Sequence, residues 1–301
     1  MMIWPLFKAK LDIRMSKAAI IIPHFNDTVR LRRCLEALSP QLSPDSEAIV
    51  VDNGSSEPVA DVMADFRDVK FVVESEKGAA AARNRGVVET KAPYLFFLDA
   101  DCVPNDDWLS TALALAGSQD LIGGRVDIFH EGDGPLTGAQ AFEEVFAFDI
   151  KGYIETKGFT VTANLLTSRE IFEKVGPFHP GVSEDLDWCH RARDAGFNLV
   201  YDDTLRVSHP SRNDWPALRK KWIRMTKEGF GLVEQTPLAK AKWALRGVAM
   251  LPSIFWHGPK VLFEANLQKD GGNLKGFATL ARLRVTRFYW MIRQAMGLEI
   301  H

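Results

Sequence analysis

Apolar residues in the first hundred positions come in short unbroken runs separated by amphipathic stretches. Ala18-Ala19-Ile20-Ile21-Ile22 is the first run, closed by Pro23, and Ala48-Ile49-Val50-Val51, Val69–Val73 and Tyr94–Leu98 follow. Runs of this length without polar alternation predict strands buried on both faces of a parallel sheet. Between them the period changes. Asn26 or Asp27 caps a helix that puts Leu31, Leu35 and Leu38 on one face. A second helix is expected over about 58–66, and an Ala-rich third from Lys77 to Thr90, opening at Gly78. Strand–helix alternation at roughly 25–30 residues per unit predicts a parallel sheet covered by helices. Right-handed crossovers then bring the strand ends at Pro23, Asp52 and Asp99 to one rim.

After Trp108 the rhythm loosens. A helix over about 106–116 leads to a strand near Asp120–Ile128, then an aromatic helix near Gln140–Ile150 and a strand at Thr160–Thr167. Ser168 caps a short helix, and Val182-Ser183-Glu184-Asp185 opens another that Gly196 stops. Phe197–Tyr201 and Leu205–Val207 read as two short strands ending at His209, and from Trp215 onward only helical patterns remain. The expected architecture is α/β: a Rossmann-like, mixed, mostly parallel sheet flanked by helices, with a helical extension at the C-terminal end. The divisions are an N-terminal extension over 1–17, a main domain over 18–212 with halves 18–117 and 118–212, and a basic helical region over 213–301.

Charge sharpens this division. The net charge of −2 conceals 21 Lys and Arg against 33 Asp and Glu up to residue 210, and 16 against 6 beyond it. A basic C-terminal region implies an anionic partner surface. Cys34, Cys102 and Cys189 are far apart with no CxxC pair, which argues against a disulfide framework or a structural zinc site and fits a reducing compartment. Met1 to Lys17 makes a poor signal peptide, Met15 is an alternative start, and no apolar stretch is long enough to span a bilayer.

The strand ends carry the chemistry. Asp99 and Asp101 emerge from Tyr94–Leu98 one residue apart, where ligands of open α/β sheets sit. Two carboxylates so placed suit a hard divalent cation, Mg²⁺ or Mn²⁺, shared with substrate phosphates. Asp52, between a strand and Gly54-Ser55-Ser56, suits a nucleobase or ribose contact, or a turn. Arg83 suits a diphosphate, since Gly78 and the alanines permit close approach, whereas one of Arg83 and Arg85 is expected at the surface. Glu184, Asp185 and Asp187 exceed what a helix N-terminus needs, so one can serve as general base. His209 is a candidate third metal ligand.

Taken in order, Ile20-Ile21-Ile22-Pro23-His24-Phe25-Asn26, Val50-Val51-Asp52-Asn53-Gly54-Ser55-Ser56, Gly78 through Arg83-Asn84-Arg85-Gly86, Phe96-Phe97-Leu98-Asp99-Ala100-Asp101 and Glu184-Asp185-Leu186-Asp187 resemble the family 2 glycosyltransferases of the GT-A fold, over about residues 18–210. The resemblance implies inverting transfer from a nucleotide-diphosphate sugar, with UDP favoured, to a hydroxyl of a glycan or lipid-linked acceptor. It implies that Pro23, Phe25, Asn26, Asp52, Arg83, Asp99, Ala100 and Asp101 bind the donor. It makes Asp185 the catalytic base beside Glu184 and puts Asp187 and Trp188 near sugar or acceptor. Asn164 either faces a sugar or holds a strand end, and Trp188 has a core role as its alternative. The Gln-x-x-Arg-Trp of processive members is missing, which favours addition of one sugar.

Helices over about 215–231 and 274–296, and the apolar run Val248–Trp256 between basic residues, suit an element lying in a membrane interface, or helices packed on the main domain with a basic outer face. The first places the protein in the cytoplasm at the inner face of the plasma membrane. Nucleic acid is not an expected partner, since no module for it appears. A sugar-1-phosphate nucleotidyltransferase would need a Gly-rich loop where Pro23-His24-Phe25 stands, and a dehydrogenase a GxGxxG. A non-catalytic sugar-nucleotide-binding or membrane scaffold is the remaining alternative.

Overall fold

The computed structural model describes residues 16–181, 183–268 and 271–301. The expectations for the N-terminal extension and the alternative start at Met15 fall wholly or mostly outside the described residues, as does Val182 of the expected helix opening, whose Ser183 is the N-cap. Eight strands form one sheet: β1 (Ala18–His24), β2 (Ser46–Asp52), β3 (Val69–Val73), β4 (Tyr94–Leu98), β5 (Val103–Pro104), β6 (Leu121–Phe129), β7 (Asn164–Ser168) and β8 (Leu199–Pro210). The main helices before residue 212 are α1 (Thr28–Leu38), α2 (Ala60–Asp65), α3 (Ala79–Val88), α4 (Trp108–Leu115), α5 (Gly138–Phe146), the short α6 (Ile150–Gly152), α7 (Arg169–Val175) and α8 (Glu184–Asp194). Four more follow: α9 (Trp215–Gly231), α10 (Pro237–Met250), α11 (Ser253–Leu262) and α12 (Gly272–Ala295).

The strand order is β3-β2-β1-β4-β7-β6-β8-β5. β1 pairs in parallel with β2 and β4, and β2 with β3, so His24 and Asp52 stand side by side at one edge. The second half is mixed: β7 is antiparallel to both β4 and β6, β8 is parallel to β6, and β5 is antiparallel to β8. The apolar runs are unbroken because both faces are covered. Ile20, Ile22, Phe96 and Leu98 meet Leu31, Leu35 and Trp108 on one side, while Ile21, Leu95 and Phe97 meet Phe172, Phe178 and Trp188 on the other. Phe96 and Phe97 are fully buried, each contributing roughly 1.5–3 kcal/mol by removal from water.

Two features of α3 bear on the site. Gly78, at φ 124°, turns the chain into the helix in a conformation other residues avoid. Gly86 lies so close to β1 that an added Cβ would meet Ile21 Cγ2 at 2.4 Å. The small residues therefore seat α3 against the sheet and leave its first turn beside the strand ends.

Local departures from the sequence expectation have visible causes. The two late strands are one, β8, with a register shift opposite Gly124/Arg125; Asp202 accepts the Thr204 N–H within the bulged segment. The expected Thr160–Thr167 strand begins only at Asn164, because the residues before it turn out of the ladder toward α8. The aromatic helix divides into α5, opened by a Thr137–Gln140 capping box, and α6, capped by Asp149 and followed by a π turn over Tyr153–Lys157.

In the C-terminal region α12 packs against α5, α9, α10 and α11. Its arginines do not form a uniformly outward stripe. Arg282 lies 4.1 Å from the centre of the Trp215 ring and Arg287 4.6 Å from that of Trp222, cation–π contacts in which Arg287 is half-buried and Arg282 stays exposed. The apolar run Val248–Trp256 is broken at Leu251-Pro252 between α10 and α11. Among the described residues no helix is long and apolar enough to cross a membrane.

Candidate active site

The ends of β1 and β2 make one wall. His24 Nδ1–H donates to Asp52 Oδ1 at 3.0 Å, while its Nε2 accepts the Asp27 N–H at 3.2 Å, which sets the tautomer. Ser55 adds a hydroxyl bond of 2.5 Å and a backbone N–H bond of 3.2 Å to the same carboxylate. Burial pushes the Asp52 carboxyl up, but the bonds from Ser55 and His24 outweigh it and hold it below its ordinary value. Asn26, at φ 49°, accepts from the Ser56 N–H at 2.8 Å, and Asn53 ties this loop to Glu74, Glu76 and Gly78. Pro23, His24, Phe25 and Asn53 line the cleft, with Phe25 largely exposed at its rim and Asp52 behind them.

Arg83 is the central tie. It is almost fully buried, and donates through Nη2 to Asp99 Oδ1 at 2.6 Å and through Nη1 to Glu184 Oε1 at 3.0 Å. It thereby clamps the end of β4 to the first turn of α8. Burial opposes its charge, but Asp99, Asp185 and Glu184 keep the guanidinium firmly protonated. Its Nε–H is buried and has no hydrogen-bond partner. Arg85 instead pairs with Glu89 at 2.7 Å on the half-buried outer face of α3.

Asp101 faces a different neighbour. His209 Nε2, at the end of β8, stands 3.3 Å from Asp101 Oδ2, and His209 Nδ1 lies 2.7 Å from the Pro210 carbonyl. Burial pushes Asp101 up, yet His209 outweighs it and holds the carboxyl below its ordinary value. The expected metal ligands Asp99, Asp101 and His209 all border the cleft. Among the described residues no three His, Cys, Asp or Glu side chains are grouped to hold a metal. The buried guanidinium of Arg83 captures Asp99, leaving Asp101 and His209 as a pair.

Asp185 lies across the cleft. Thr162 Oγ1–H donates to its Oδ1 at 2.7 Å, leaving Oδ2 for a ligand. Burial raises its pKa to about 6 against the opposing charge of Arg83, with Glu184 pushing the same way as burial. These side chains converge on a cleft of about 410 Å³ lined by Ala79, Ala82, Arg83, Asp99, Ala100, Asp101, Glu184, Asp185 and His209. Asp101, His209, Arg212 and Arg224 also border an adjoining hollow of about 770 Å³, which Lys220 lines as well. Glu143, fully buried on α5, fixes this lining by accepting from Arg212 and Lys221 at 2.8 and 2.9 Å.

Three expected sugar or acceptor contacts are not in the cleft. Asn164 is fully buried, its amide consumed by Trp108 Nε1–H at 2.9 Å and by the carbonyls of Arg125 and Leu205, so it holds strands together. Trp188 is core, packed on Phe172 and Phe178 and donating to the Gly176 carbonyl. Asp187 is occupied by Arg191 at 2.9 Å and His179 at 3.1 Å. Conversely, His24, Thr162, Arg212 and Arg224 belong to the cleft or its immediate support and were not singled out as site residues from the sequence; only Pro23-His24-Phe25 flanking a strand end offered a signal.

Residues 19–176, over half of the chain, match the description Glycosyl transferase family 2. The chain belongs to that family. It is a glycosyltransferase, which displaces the nucleotidyltransferase and scaffold alternatives. Glycosyltransferase AglE of Haloferax volcanii is 32% identical over 220 residues, covering 69% of this chain and 71% of that protein. Pre-mycofactocin glycosyltransferase of Mycobacterium tuberculosis is 30% identical over 217 residues, covering 66% of this chain but 44% of that one. Among solved structures, the mannosyltransferase PcManGT of Pyrobaculum calidifontis, in complex with GDP-Man and Mn²⁺, superposes with a TM-score of 0.54 at 15% identity, covering 94% of this chain and 74% of the other. TarS of S. aureus gives 0.51 at 14%, covering 92% and 55%. At those identities the likeness establishes the GT-A fold of this glycosyltransferase.

Proposed function

We propose that the protein transfers one sugar, with inversion, from a nucleotide-diphosphate sugar to a hydroxyl of a glycan or lipid-linked acceptor. The observation that carries this reading is Asp185: a carboxylate raised to about 6, held at one oxygen by Thr162, across a 410 Å³ cleft from Asp101 and His209. Such a group is ionised at neutral pH yet basic enough to accept a proton in the transition state. In the transfer, the acceptor oxygen forms a bond to the anomeric carbon as the bond from that carbon to the diphosphate oxygen breaks. The acceptor proton goes to Asp185 Oδ2, and the electron pair of the broken bond leaves with the nucleotide diphosphate. Attack opposite the leaving group inverts the centre.

Residues 18–117 serve the donor in this reading, and 118–212 the acceptor. Asp52 and Asn53 hold the base, with UDP favoured, while Arg83 and the first turn of α3 stand beside nucleotide or phosphate. Asp99 positions Arg83 and can reach a ribose hydroxyl. The residues present fit a divalent ion: Asp101 and His209, 3.3 Å apart, offer hard and borderline donors that would hold Mg²⁺ or Mn²⁺. An ion bound there supplies positive charge against the leaving diphosphate. The basic helical region over 213–301, within which 215–296 is the expected contact, would hold the enzyme against the cytoplasmic face of a membrane that carries a lipid-linked acceptor.

The test is sugar release from a panel of nucleotide sugars with and without Mg²⁺ or Mn²⁺, run on the wild type and on Asp185→Asn. Metal-dependent release that falls by about 10²–10⁴ in the variant supports the assignment. Equal release by both would remove Asp185 as the base.

A further inference from the structure

The helices α10 and α11 turn apolar residues outward. At 100° per residue, α11 puts Ile254, Gly258 and Val261 on one face and Phe255, Trp256 and Lys260 on the other, with Phe263 continuing the outer face one turn on. The first face is the packed one: Gly258 sits where an added Cβ would meet the Phe277 ring of α12 at 2.7 Å. On the outer face Phe255, Trp256 and Phe263 are 80%, 81% and 79% exposed. Before the Leu251-Pro252 break, α10 buries Trp243 and Gly247 and exposes Leu245 and Val248. Isolated apolar residues on a surface are ordinary, but large ones concentrated on one stretch of chain mark an interaction face.

The charge pattern selects the occupant. From Gln235 to Phe263 there is no Asp or Glu, while Lys240, Lys242, Arg246 and Lys260 are present. A second copy of the chain meeting this face across a two-fold axis would bring these cations against themselves. An anionic surface with an apolar interior matches both features, and Trp beside Lys is the composition of a membrane-interface element. Trp215 and Trp222 of α9 are instead covered by Arg282 and Arg287 of α12.

We propose that the α10–α11 face docks on a bilayer bearing anionic headgroups, with Phe255, Trp256 and Phe263 in the boundary between headgroups and acyl chains and Lys242, Arg246 and Lys260 against the lipid phosphates. This rests on the membrane-proximal reading of the acceptor and narrows the contact from the whole helical region to about twenty residues.

The full chain is floated with phosphatidylcholine vesicles containing phosphatidylglycerol at about 30 mol%, and with phosphatidylcholine alone. The wild type is expected to float with the anionic vesicles and to bind the neutral ones at least about tenfold more weakly. Phe255→Ser/Trp256→Ser/Phe263→Ser and, separately, Lys242→Glu/Arg246→Glu/Lys260→Glu are each expected to lose at least about tenfold in anionic binding. Their melting temperatures and sugar-release rates should match the wild type. If the wild type binds neither vesicle, the membrane-proximal reading falls along with this face. If it binds and both triple variants bind equally well, the membrane reading stands and this face is refuted. A concentration-dependent dimer in sedimentation velocity that the aromatic variant abolishes, without vesicle binding, assigns the face to a second copy and also overturns the proposal.

Discussion

The sheet rim and the C-terminal helices handle charge in opposite ways. At the rim, acids and bases gather at strand ends, pair closely and leave part of their bonding capacity open to a cleft: Arg83 holds Asp99 and Glu184, His209 faces Asp101, and Asp185 keeps one oxygen free of its Thr162 bond. In the helical region, Arg284 and Arg287 are drawn in without a partner at Nε, Arg282 and Arg287 rest on indole rings, and aromatic residues face outward instead. The contrast shows that charge position follows what the surrounding elements can satisfy. Rim charges converge because parallel strand ends converge. Helical-region arginines pack because their long apolar stems cover rings, and removing their heads from water is a cost.

The largest expected effect lies at the rim. Asp185→Asn should reduce sugar release by about 10²–10⁴ while raising stability, a combination that separates functional charge from structural charge. The sign follows from the raised pKa. The folded protein binds this proton more tightly than the unfolded chain, so stability from Asp185 is present at low pH and lost as pH rises from about 3.8 to about 6. Above that window the Asn variant should therefore unfold at higher temperature, by on the order of 1–2 kcal/mol after allowance for partial solvent access. Wild-type sugar release should also decline as pH falls below about 6. A variant both inactive and strongly destabilised at pH 8 would break the comparison.

Glu143→Ala tests the junction between the two regions. It strands Arg212 and Lys221 beside a buried gap, and unfolding in urea should show a loss of about 3–5 kcal/mol. Gly86→Ala pushes a methyl against Ile21 and should cost about 1–3 kcal/mol by the same measurement, with sugar release affected only as far as α3 shifts. The smallest effect belongs to the helical region. Arg287→Met removes a cation whose burial lowers its pKa to about 10, so calorimetry at pH 7 should show unchanged or slightly higher stability, within about 1 kcal/mol. A large loss there would mean that the Trp222 contact outweighs desolvation.

Much of the rim was legible because it follows backbone rules. Apolar runs gave the strands, parallel pairing put their ends together, and Asp99, Asp101 and Arg83 were named from position, whereas the family resemblance singled out Asp185 among the acids of its motif. The roles of Asn164, Trp188 and Asp187 were not legible in the same way. Each sits in or beside a motif, but orientation decides function: the Asn164 amide points to Trp108, Trp188 points into the aromatic cluster, and Asp187 meets Arg191. Thr162 was hidden for the converse reason, since nothing local marks a hydroxyl that becomes important only when a strand start turns toward α8.

By itself the sequence determined the parallel half of the sheet, the family, the acid-rich strand ends and the charge asymmetry, because buried periodicity and strand-end placement are local or nearest-neighbour properties. Only the tertiary structure decided that Arg83 takes Asp99 away from Asp101, that the pairing of β5 with β8 brings His209 to Asp101, and that the aromatic face of α11 points outward. Those outcomes depend on which of several reachable partners lies within bonding distance once the chain has closed, and no spacing along the chain encodes that choice.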